Sequence, residues 1–160
     1  MKRFIFRIWP LLVIVSAVTI FFYPVWLQNK VLLPADLVVG AYYPWLDYKW
    51  GYPAGVPVKN PITADVVAFT YPMRTYAIEV LKQGKIPLWN PLILSGAPLL
   101  ANFQSAPFSP TNIFYFLIPK LDAWNLQIIF QPLLGALFAY YLLRELGRRT
   151  PASTVGGLFF

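Results

Sequence analysis

Residues 123–143 read AWNLQIIFQPLLGALFAYYLL, a run without a charged side chain. At about 1.5 Å per helical residue, a run of this length crosses a hydrocarbon core about 30 Å thick. Asp122 is placed to cap the start of the helix, and the turn at residues 144–150 contains three arginines, Arg144, Arg148 and Arg149. The sequence therefore predicts a transmembrane helix over residues 122–143, with residues 144–150 forming a cytoplasmic turn by the positive-inside rule.

A second charge-free run, residues 8–27, lies near the start of the chain and follows three basic residues. The same rule places residues 1–7 in the cytoplasm and the end of this first transmembrane helix outside. A cleaved signal peptide is the rival interpretation. The run is long for a signal peptide, and its end lacks the small residues that signal peptidase requires, so an uncleaved anchor is favoured.

The two predicted helices agree on orientation, because both basic clusters fall on the same side. Residues 28–121 then form a large extracytoplasmic loop. Thr150 and Pro151 suit the cap and first turn of a third transmembrane helix, of which residues 151–160 are the beginning. We therefore expect an all-α integral membrane protein, and the chain to be the amino-terminal part of a larger polytopic helical bundle.

The composition indicates a chain surrounded by lipid and limits the residue types available for catalysis. Apolar types make up 58% of the chain and charged types 12%, against about a quarter charged in soluble domains. The absence of Cys and His excludes disulfides, thiolate nucleophiles and imidazole bases, so acid–base work falls to six carboxylates. The net charge of +7 comes from clusters at the ends of apolar segments and forms no stripe, which argues against nucleic acid as a partner.

Two short amphipathic helices are predicted inside the loop. The first covers about residues 72–82, with Thr70 as a candidate N-cap, Gly84 as a stop, and an apolar face expected to lie on the outer membrane surface. Its polar side carries Arg74 and Lys82, which are then free to meet phosphate groups. The second covers about residues 110–117 and is apolar enough to lie half in lipid.

The loop also contains an internal echo. Ala35-Asp36-Leu37-Val38 leads to Tyr43-Pro44, and Ala64-Asp65-Val66-Val67 leads to Tyr71-Pro72. The two spacings differ by one residue, and chance is a fair explanation of the echo. Between the two segments, the Tyr and Trp residues of positions 42–52 are interpreted as an interfacial belt in preference to a carbohydrate platform.

Several blocks of this loop resemble the first external loop of YfhO-type bacterial membrane proteins. The blocks are DVVAFTYP (65–72), GKIPLWNP (84–91), GAPLLAN (96–102), QSAP (104–107) and SPTN (109–112). The similarity also includes residues 133–147. The resemblance implies the GT-C architecture, a multi-pass glycosyltransferase of the bacterial cytoplasmic membrane. Such an enzyme transfers a sugar from a polyprenyl-phosphate donor to an envelope glycan or lipid acceptor outside the membrane, using an Asp in the first external loop.

Asp65 and Asp36 are the residues that fit this catalytic Asp. An inverting transfer needs a carboxylate that accepts the acceptor's proton or holds a divalent metal ion, and spacing does not decide between these roles. Asp65 is favoured because the family-like block begins there. The alternative for Asp65 is a helix N-cap.

Substrate contacts are predicted for a further set of residues in the family-like blocks and on the first amphipathic helix. Cations are expected to meet the donor phosphate, and aromatic, amide and hydroxyl groups to meet the sugar. The alternatives are contact with lipid head groups for the cations and turn stabilisation for the amides and hydroxyl. The predicted substrate-binding residues are Lys85, Arg74, Trp89, Asn90, Asn102, Gln104 and Ser105.

Three classes of function are compatible with the sequence. The leading one is the glycosyltransferase, the second is a non-catalytic membrane protein of the same fold that binds lipid or assembles envelope polymers, and the third is a transporter or flippase. The two charge-free runs carry no intramembrane charge, which argues against an ion-coupled pathway.

Overall fold

The computed structural model describes residues 2–93 and 95–159, with side chains from residue 8 onward. Its α-helices and strands, in chain order, are α1 (Lys2–Phe21), α2 (Tyr23–Gln28), α3 (Ala35–Ala41), α4 (Tyr71–Lys82), β1 (Trp89–Asn90), β2 (Ala97–Pro98), α5 (Ile113–Leu117), α6 (Lys120–Glu145) and α7 (Thr150–Phe159). Short 3-10 helices cover Trp45–Gly51, Pro61–Thr63 and Pro110–Asn112, and a π-helix covers Val66–Thr70. The chain divides into a helical unit, Met1–Leu32 with Leu121–Phe160, and a loop unit, Leu33–Lys120.

The helical unit contains α1, α6 and α7. Its core is built from Ile14, Ala136 and Tyr140, against which three further leucines pack. Gly157 of α7 lies so close to α6 that an added Cβ would be 2.7 Å from the Ala136 carbonyl oxygen. A glycine at this position therefore lets the two helix backbones approach.

The two predicted transmembrane spans correspond to apolar helices of different length. Within the described residues, α6 is the one helix whose length and hydropathy suffice to cross a membrane, and Ile8–Phe21 is a shorter apolar helix. The prediction of an unbroken helix over residues 8–27 was wrong, because α1 ends at Phe21 and the ψ angle of Phe22 is 21°. Pro24 explains the break, since it has no N–H and its ring crowds the carbonyl four residues earlier.

The start of α6 also differs from the prediction. The helix begins at Lys120, so Asp122 lies in its first turn and is not its N-cap. Just inside this end, the Trp124 indole N–H donates to the Leu32 carbonyl at 2.9 Å. The Asn125 side-chain oxygen accepts from the Leu32 N–H at 2.7 Å. These bonds join the point where the chain leaves the helical unit to the point where it returns.

The predicted amphipathic helix at residues 72–82 is present as α4, but its environment is not the predicted one. Met73 and Ala77 are buried against Leu99, with Tyr76 and Ile93 packed around them. The apolar face of α4 is therefore covered by the core of the loop unit and is not free to cover a lipid surface. The second predicted helix matches Pro110–Asn112 with α5, whose Ile113, Phe116 and Leu117 are exposed.

A π-helix precedes α4 where the sequence suggested an N-cap. The Tyr71 N–H donates to the Val66 carbonyl five residues back, and the Thr70 side chain makes no capping bond. Pro72 accounts for the wide turn, because in a regular α-helix its ring would crowd the carbonyl of Ala68. A π-turn carries one residue more than an α-turn and is frequent at functional sites.

The segment between α4 and α5 is a compact loop organised by a two-stranded antiparallel pair. Trp89 pairs with Pro98 and Asn90 with Ala97. Gly96 is required in the connecting turn, because its φ is +97° and an added Cβ would collide with the Trp89 ring. This loop supplies Leu99 to the core beneath α4.

Candidate functional site

The two candidate catalytic aspartates have different surroundings. Asp65 is exposed and stands immediately before the π-helix, with no capping bond from its side chain. Within the described residues, no hydrogen bond or ion pair occupies its carboxylate. The N-cap alternative for Asp65 is therefore not what the structure shows, and its carboxylate is open to solvent.

Asp36 lies in the first turn of α3, where its side-chain oxygen Oδ2 accepts the Lys59 N–H at 2.8 Å. The bond joins α3 to the chain twenty-three residues later. A carboxylate that accepts a backbone N–H in this way stabilises the loop conformation. The structure thus gives Asp36 a local structural partner that Asp65 does not have.

A cleft of about 300 Å³ lies between α3 and the π-helix. Its lining consists of Val38, Tyr42, Tyr43, Trp45, Val67 and Ala68. Aromatic rings offer flat apolar faces with a polar edge, which is the surface on which a sugar ring packs. The segments that bear Asp36 and Asp65 each contribute a wall of this cleft, so the cleft is the candidate functional site.

The aromatic residues predicted as an interfacial belt extend the cleft at one side. Trp45 and Tyr48 have ring centroids 6.4 Å apart, and those of Tyr48 and Trp50 are 5.8 Å apart. The Trp50 indole N–H donates to the Trp45 carbonyl at 3.0 Å. These contacts form a connected aromatic cluster in which Trp45 also faces the cleft.

The carboxylates do not fit a divalent metal site. In residues 2–93 and 95–159, no group of three or more acidic, His or Cys side chains is placed to hold a metal ion. The Asp36 carboxylate already accepts a backbone N–H.

The three candidate phosphate-binding cations have different surroundings. Lys85 is exposed after the end of α4. Arg74 is half-buried on α4, contrary to the prediction that it lies on a free polar face; burial lowers the pKa of its guanidinium, and the Tyr115 phenol acts in the opposite direction. Lys82 forms an ion pair with Glu79 at 3.9 Å, and Glu79 also pairs with Lys120 at 3.1 Å.

Three of the predicted sugar contacts hold the loop together. Asn90 and Asn102 each accept, through Oδ1, a backbone N–H two residues on, at 3.0 and 2.9 Å. Ser105 is fully buried and its hydroxyl lies 2.8 Å from the Leu99 carbonyl and 2.7 Å from the Asn102 carbonyl. These bonds correspond to the turn-stabilising alternative.

Trp89 and Gln104 keep surfaces that a ligand can reach. The Trp89 indole is half exposed where it lies over Gly96, and Gln104 is partly exposed. Of the predicted substrate contacts, Lys85, Trp89 and Gln104 thus remain accessible, and Arg74 is accessible in part. The structure brings Asn102 and Ser105 together in one turn and places Arg74 beside Tyr115.

Sequence reasoning missed Tyr115, and it did not predict that the aromatic residues at positions 42–45 share a cleft with Val38, Val67 and Ala68. Tyr115 is completely buried on the side of α5 opposite its exposed apolar residues, and burial raises its pKa to about 12, with Arg74 acting to lower it. The available signal was its position three residues after Asn112 on a short helix, a spacing that places both on one face. Val38 and Val67 were visible as equivalent members of the internal echo.

Comparisons of this chain with protein-family models, curated proteins and solved structures gave no match.

Proposed function

We propose that this chain belongs to a membrane glycosyltransferase that moves a sugar from a polyprenyl-phosphate donor to an extracytoplasmic acceptor, a glycan or lipid of the cell envelope. The proposal places α6 across a bacterial cytoplasmic membrane with residues 28–121 outside. Its supports are the length and hydropathy of α6, the resemblance to YfhO-type proteins of GT-C architecture, and the surroundings of Asp65.

The observation that carries the proposal is the uncommitted carboxylate of Asp65 beside an aromatic cleft. Asp65 precedes the π-helix, and two residues of that helix, Val67 and Ala68, line the cleft. An acceptor sugar packed against the aromatic wall would present hydroxyl groups near this segment. A carboxylate with no hydrogen-bond partner of its own is the group suited to take a proton from such a hydroxyl.

The reaction assigned to the site is a single displacement. Asp65 accepts the proton of the acceptor hydroxyl as that oxygen bonds to the anomeric carbon of the donor sugar. The bond between the anomeric carbon and the phosphate oxygen breaks, and the electron pair leaves with the polyprenyl phosphate. A fixed cation, Arg74 or Lys85, stabilises the charge that builds on this leaving group.

The test is transfer of radiolabelled sugar from a polyprenyl-phosphate donor in membranes that contain the full-length protein. We expect Asp65→Asn to lower the rate at least about 100-fold, because the amide cannot accept the proton. Asp47→Asn is the matched control, since Asp47 is an exposed aspartate of the same loop unit that lines no part of the cleft. An Asp65→Asn protein that folds and transfers sugar at the normal rate would contradict the proposal.

A non-catalytic lipid-binding protein of the same fold is the second candidate. The exposed apolar side chains of α5, Ile113, Phe116 and Leu117, favour it because they form a surface suited to lipid. Wild-type protein that binds polyprenyl phosphate and transfers no sugar to any envelope fraction would support this function against the first.

A further inference from the structure

An apolar groove of about 520 Å³ lies where α6 and α7 of the helical unit meet. Its lining consists of Gly135, Phe138, Ala139, Leu142, Leu143 and Gly156. Phe138 and Leu142 are 66% and 60% exposed, so the groove is open on its outer side. By the helical rise of about 1.5 Å per residue, its length along α6 is about 12 Å. This length covers most of one leaflet of a hydrocarbon core about 30 Å thick.

One end of the groove meets the turn that joins α6 to α7. The last groove residue of α6 is Leu143, and its carbonyl accepts the Arg148 N–H at 3.0 Å. The Arg144 guanidinium donates to the Arg148 carbonyl at 2.7 Å. At the start of α7, the Arg149 carbonyl accepts the Ser153 N–H at 3.0 Å. Hydrogen bonds thus hold the backbone of this arginine-bearing turn at the end of the groove.

The turn carries a charge that the described acidic side chains do not neutralise. Residues 144–149 contain three arginines and one glutamate, which gives the segment a net charge of +2. Arg148 and Arg149 are exposed. Among the residues that the structure describes, the ion pairs are those of Glu79 with two lysines, and none joins Glu145 to an arginine. Two guanidinium groups are therefore available to an anion at the end of an apolar groove.

An anionic phospholipid is the occupant that satisfies both parts. Its acyl chain is apolar and matches the lining of the groove, and its phosphate supplies the negative charge that Arg148 and Arg149 lack. Clusters of basic residues directly beside a membrane helix attract anionic head groups. A further apolar helix covers the lining equally well, but it leaves the arginine charges without a partner.

We infer that the groove between α6 and α7 binds one anionic phospholipid, with an acyl chain along Ala139 and Leu142 and the phosphate on Arg148 and Arg149. The inference depends on α6 crossing a membrane and does not depend on sugar transfer. It shares no residue with the proposed transferase site. In the orientation that the arginines indicate, the lipid belongs to the cytoplasmic leaflet.

The test is binding of fluorescent phosphatidylglycerol to the full-length protein in micelles of a neutral detergent. Phosphatidylcholine with the same acyl chains is the comparison lipid without net charge. We expect the wild type to bind phosphatidylglycerol about thirtyfold more tightly, which is about fivefold for each of two cations. Arg148→Gln combined with Arg149→Gln should remove this preference and leave phosphatidylcholine binding unchanged.

Matched variants separate charge from folding. Arg148→Lys with Arg149→Lys keeps both charges and should stay within about threefold of the wild type. Lys30→Gln with Lys59→Gln removes two exposed cations outside the turn and should bind like the wild type. Thermal unfolding midpoints identify any variant that fails to fold, and Arg149→Gln alone, with a loss of about fivefold, then keeps the test decisive. Wild-type affinity for phosphatidylglycerol in the folded glutamine variants, or equal wild-type affinity for the two lipids, would overturn the site.

The groove itself is tested with Ala139→Leu, whose larger side chain fills the space assigned to the acyl chain. We expect phosphatidylglycerol binding to weaken at least about tenfold, because two or more methylene groups lose their contacts. Ala152→Leu is the control, since Ala152 is exposed on α7 and lines no part of the groove. Wild-type lipid binding in Ala139→Leu would overturn the site, and a lower unfolding midpoint in the same variant would then identify a packed helix as the occupant.

Discussion

Asp36 and Asp65 each follow an alanine and each stand two residues before a valine that lines the same cleft. The two segments nevertheless differ in their hydrogen bonds and in their burial. The Asp36 carboxylate accepts a hydrogen bond from the Lys59 N–H, whereas Asp65 has an exposed carboxylate with no capping role. Four residues after each aspartate, Gly40 lies against the Val56 carbonyl, and the equivalent Phe69 is exposed. Similar local sequence thus supports a hydrogen-bonded carboxylate in one segment and an exposed carboxylate without a side-chain cap bond in the other.

Of the variants that test this comparison, deletion of Phe69 should cause the largest loss of sugar transfer. Removing one residue from the π-helix allows an α-turn to form, which rotates Asp65 by about 100° relative to α4. Sugar transfer should then fall at least about 100-fold, as for the loss of the general base. Phe69→Ala is the matched control, because it removes the same side chain and keeps the residue count. It should transfer sugar at close to the normal rate, and equal losses in both variants would show that the ring and not the π-turn matters.

Gly40→Ala should disrupt the α3 side of the comparison. Its new Cβ would lie 2.5 Å from the Val56 carbonyl oxygen, so the backbone must shift. We expect the loop unit to lose about 1–3 kcal/mol of stability, the usual cost of overpacking. Thermal unfolding in detergent checks this, with Ala41→Ser at the next, exposed position as the control. An unchanged unfolding midpoint for Gly40→Ala would mean that α3 is not held against Val56.

Asp36→Ala should distinguish the aspartate with a structural hydrogen bond from Asp65, the proposed general base. Loss of the bond to the Lys59 N–H is expected to cost about 1 kcal/mol, since it exchanges an exposed charge-assisted bond for a bond to water. The unfolding midpoint should fall in Asp36→Ala and stay unchanged in Asp65→Ala, while transfer should show the reverse order of effects. Equal destabilisation by the two substitutions would remove the distinction between the segments.

Tyr43→Ala should give the smallest effect, confined to the acceptor. Loss of one aromatic wall of the cleft is worth about 0.5–1.5 kcal/mol, which corresponds to a two- to tenfold rise in the KM for a sugar acceptor. Tyr43→Phe keeps the ring face and should leave KM within about twofold of the wild type. An unchanged acceptor KM in Tyr43→Ala would place the acceptor outside the cleft.

Local signals in the sequence were sufficient for much of the fold. The charge-free run, the Thr-Pro pair at the start of α7 and the helical spacing of Met73 and Ala77 each predicted a helix that the structure contains. These features depend on neighbours a few residues apart, so a single sequence discloses them. The break at Phe22 and the π-turn before Pro72 depend on proline sterics that shift a helix boundary without abolishing the helix.

The site was less accessible from sequence than the fold. Asp36, Asp65 and Arg74 stood out because charged residues are few. What each one does depends on residues far away in the sequence, such as Lys59, whose N–H bonds to Asp36, and Tyr115, which acts electrostatically on Arg74. The apolar face of α4 shows the same limit, since its pattern predicts burial without specifying whether lipid or Leu99 covers it.

The bonds that Trp124 and Asn125 make to Leu32 have a consequence for how the protein can change. They hold together the two ends of the long inserted segment from Leu33 to Lys120. An insertion whose ends already meet adds little closure entropy to its host, whatever its length. The segment from Leu33 to Lys120 can therefore be lengthened, shortened or replaced while the helices that carry it keep their packing, which is a route by which one helical scaffold acquires new binding specificities.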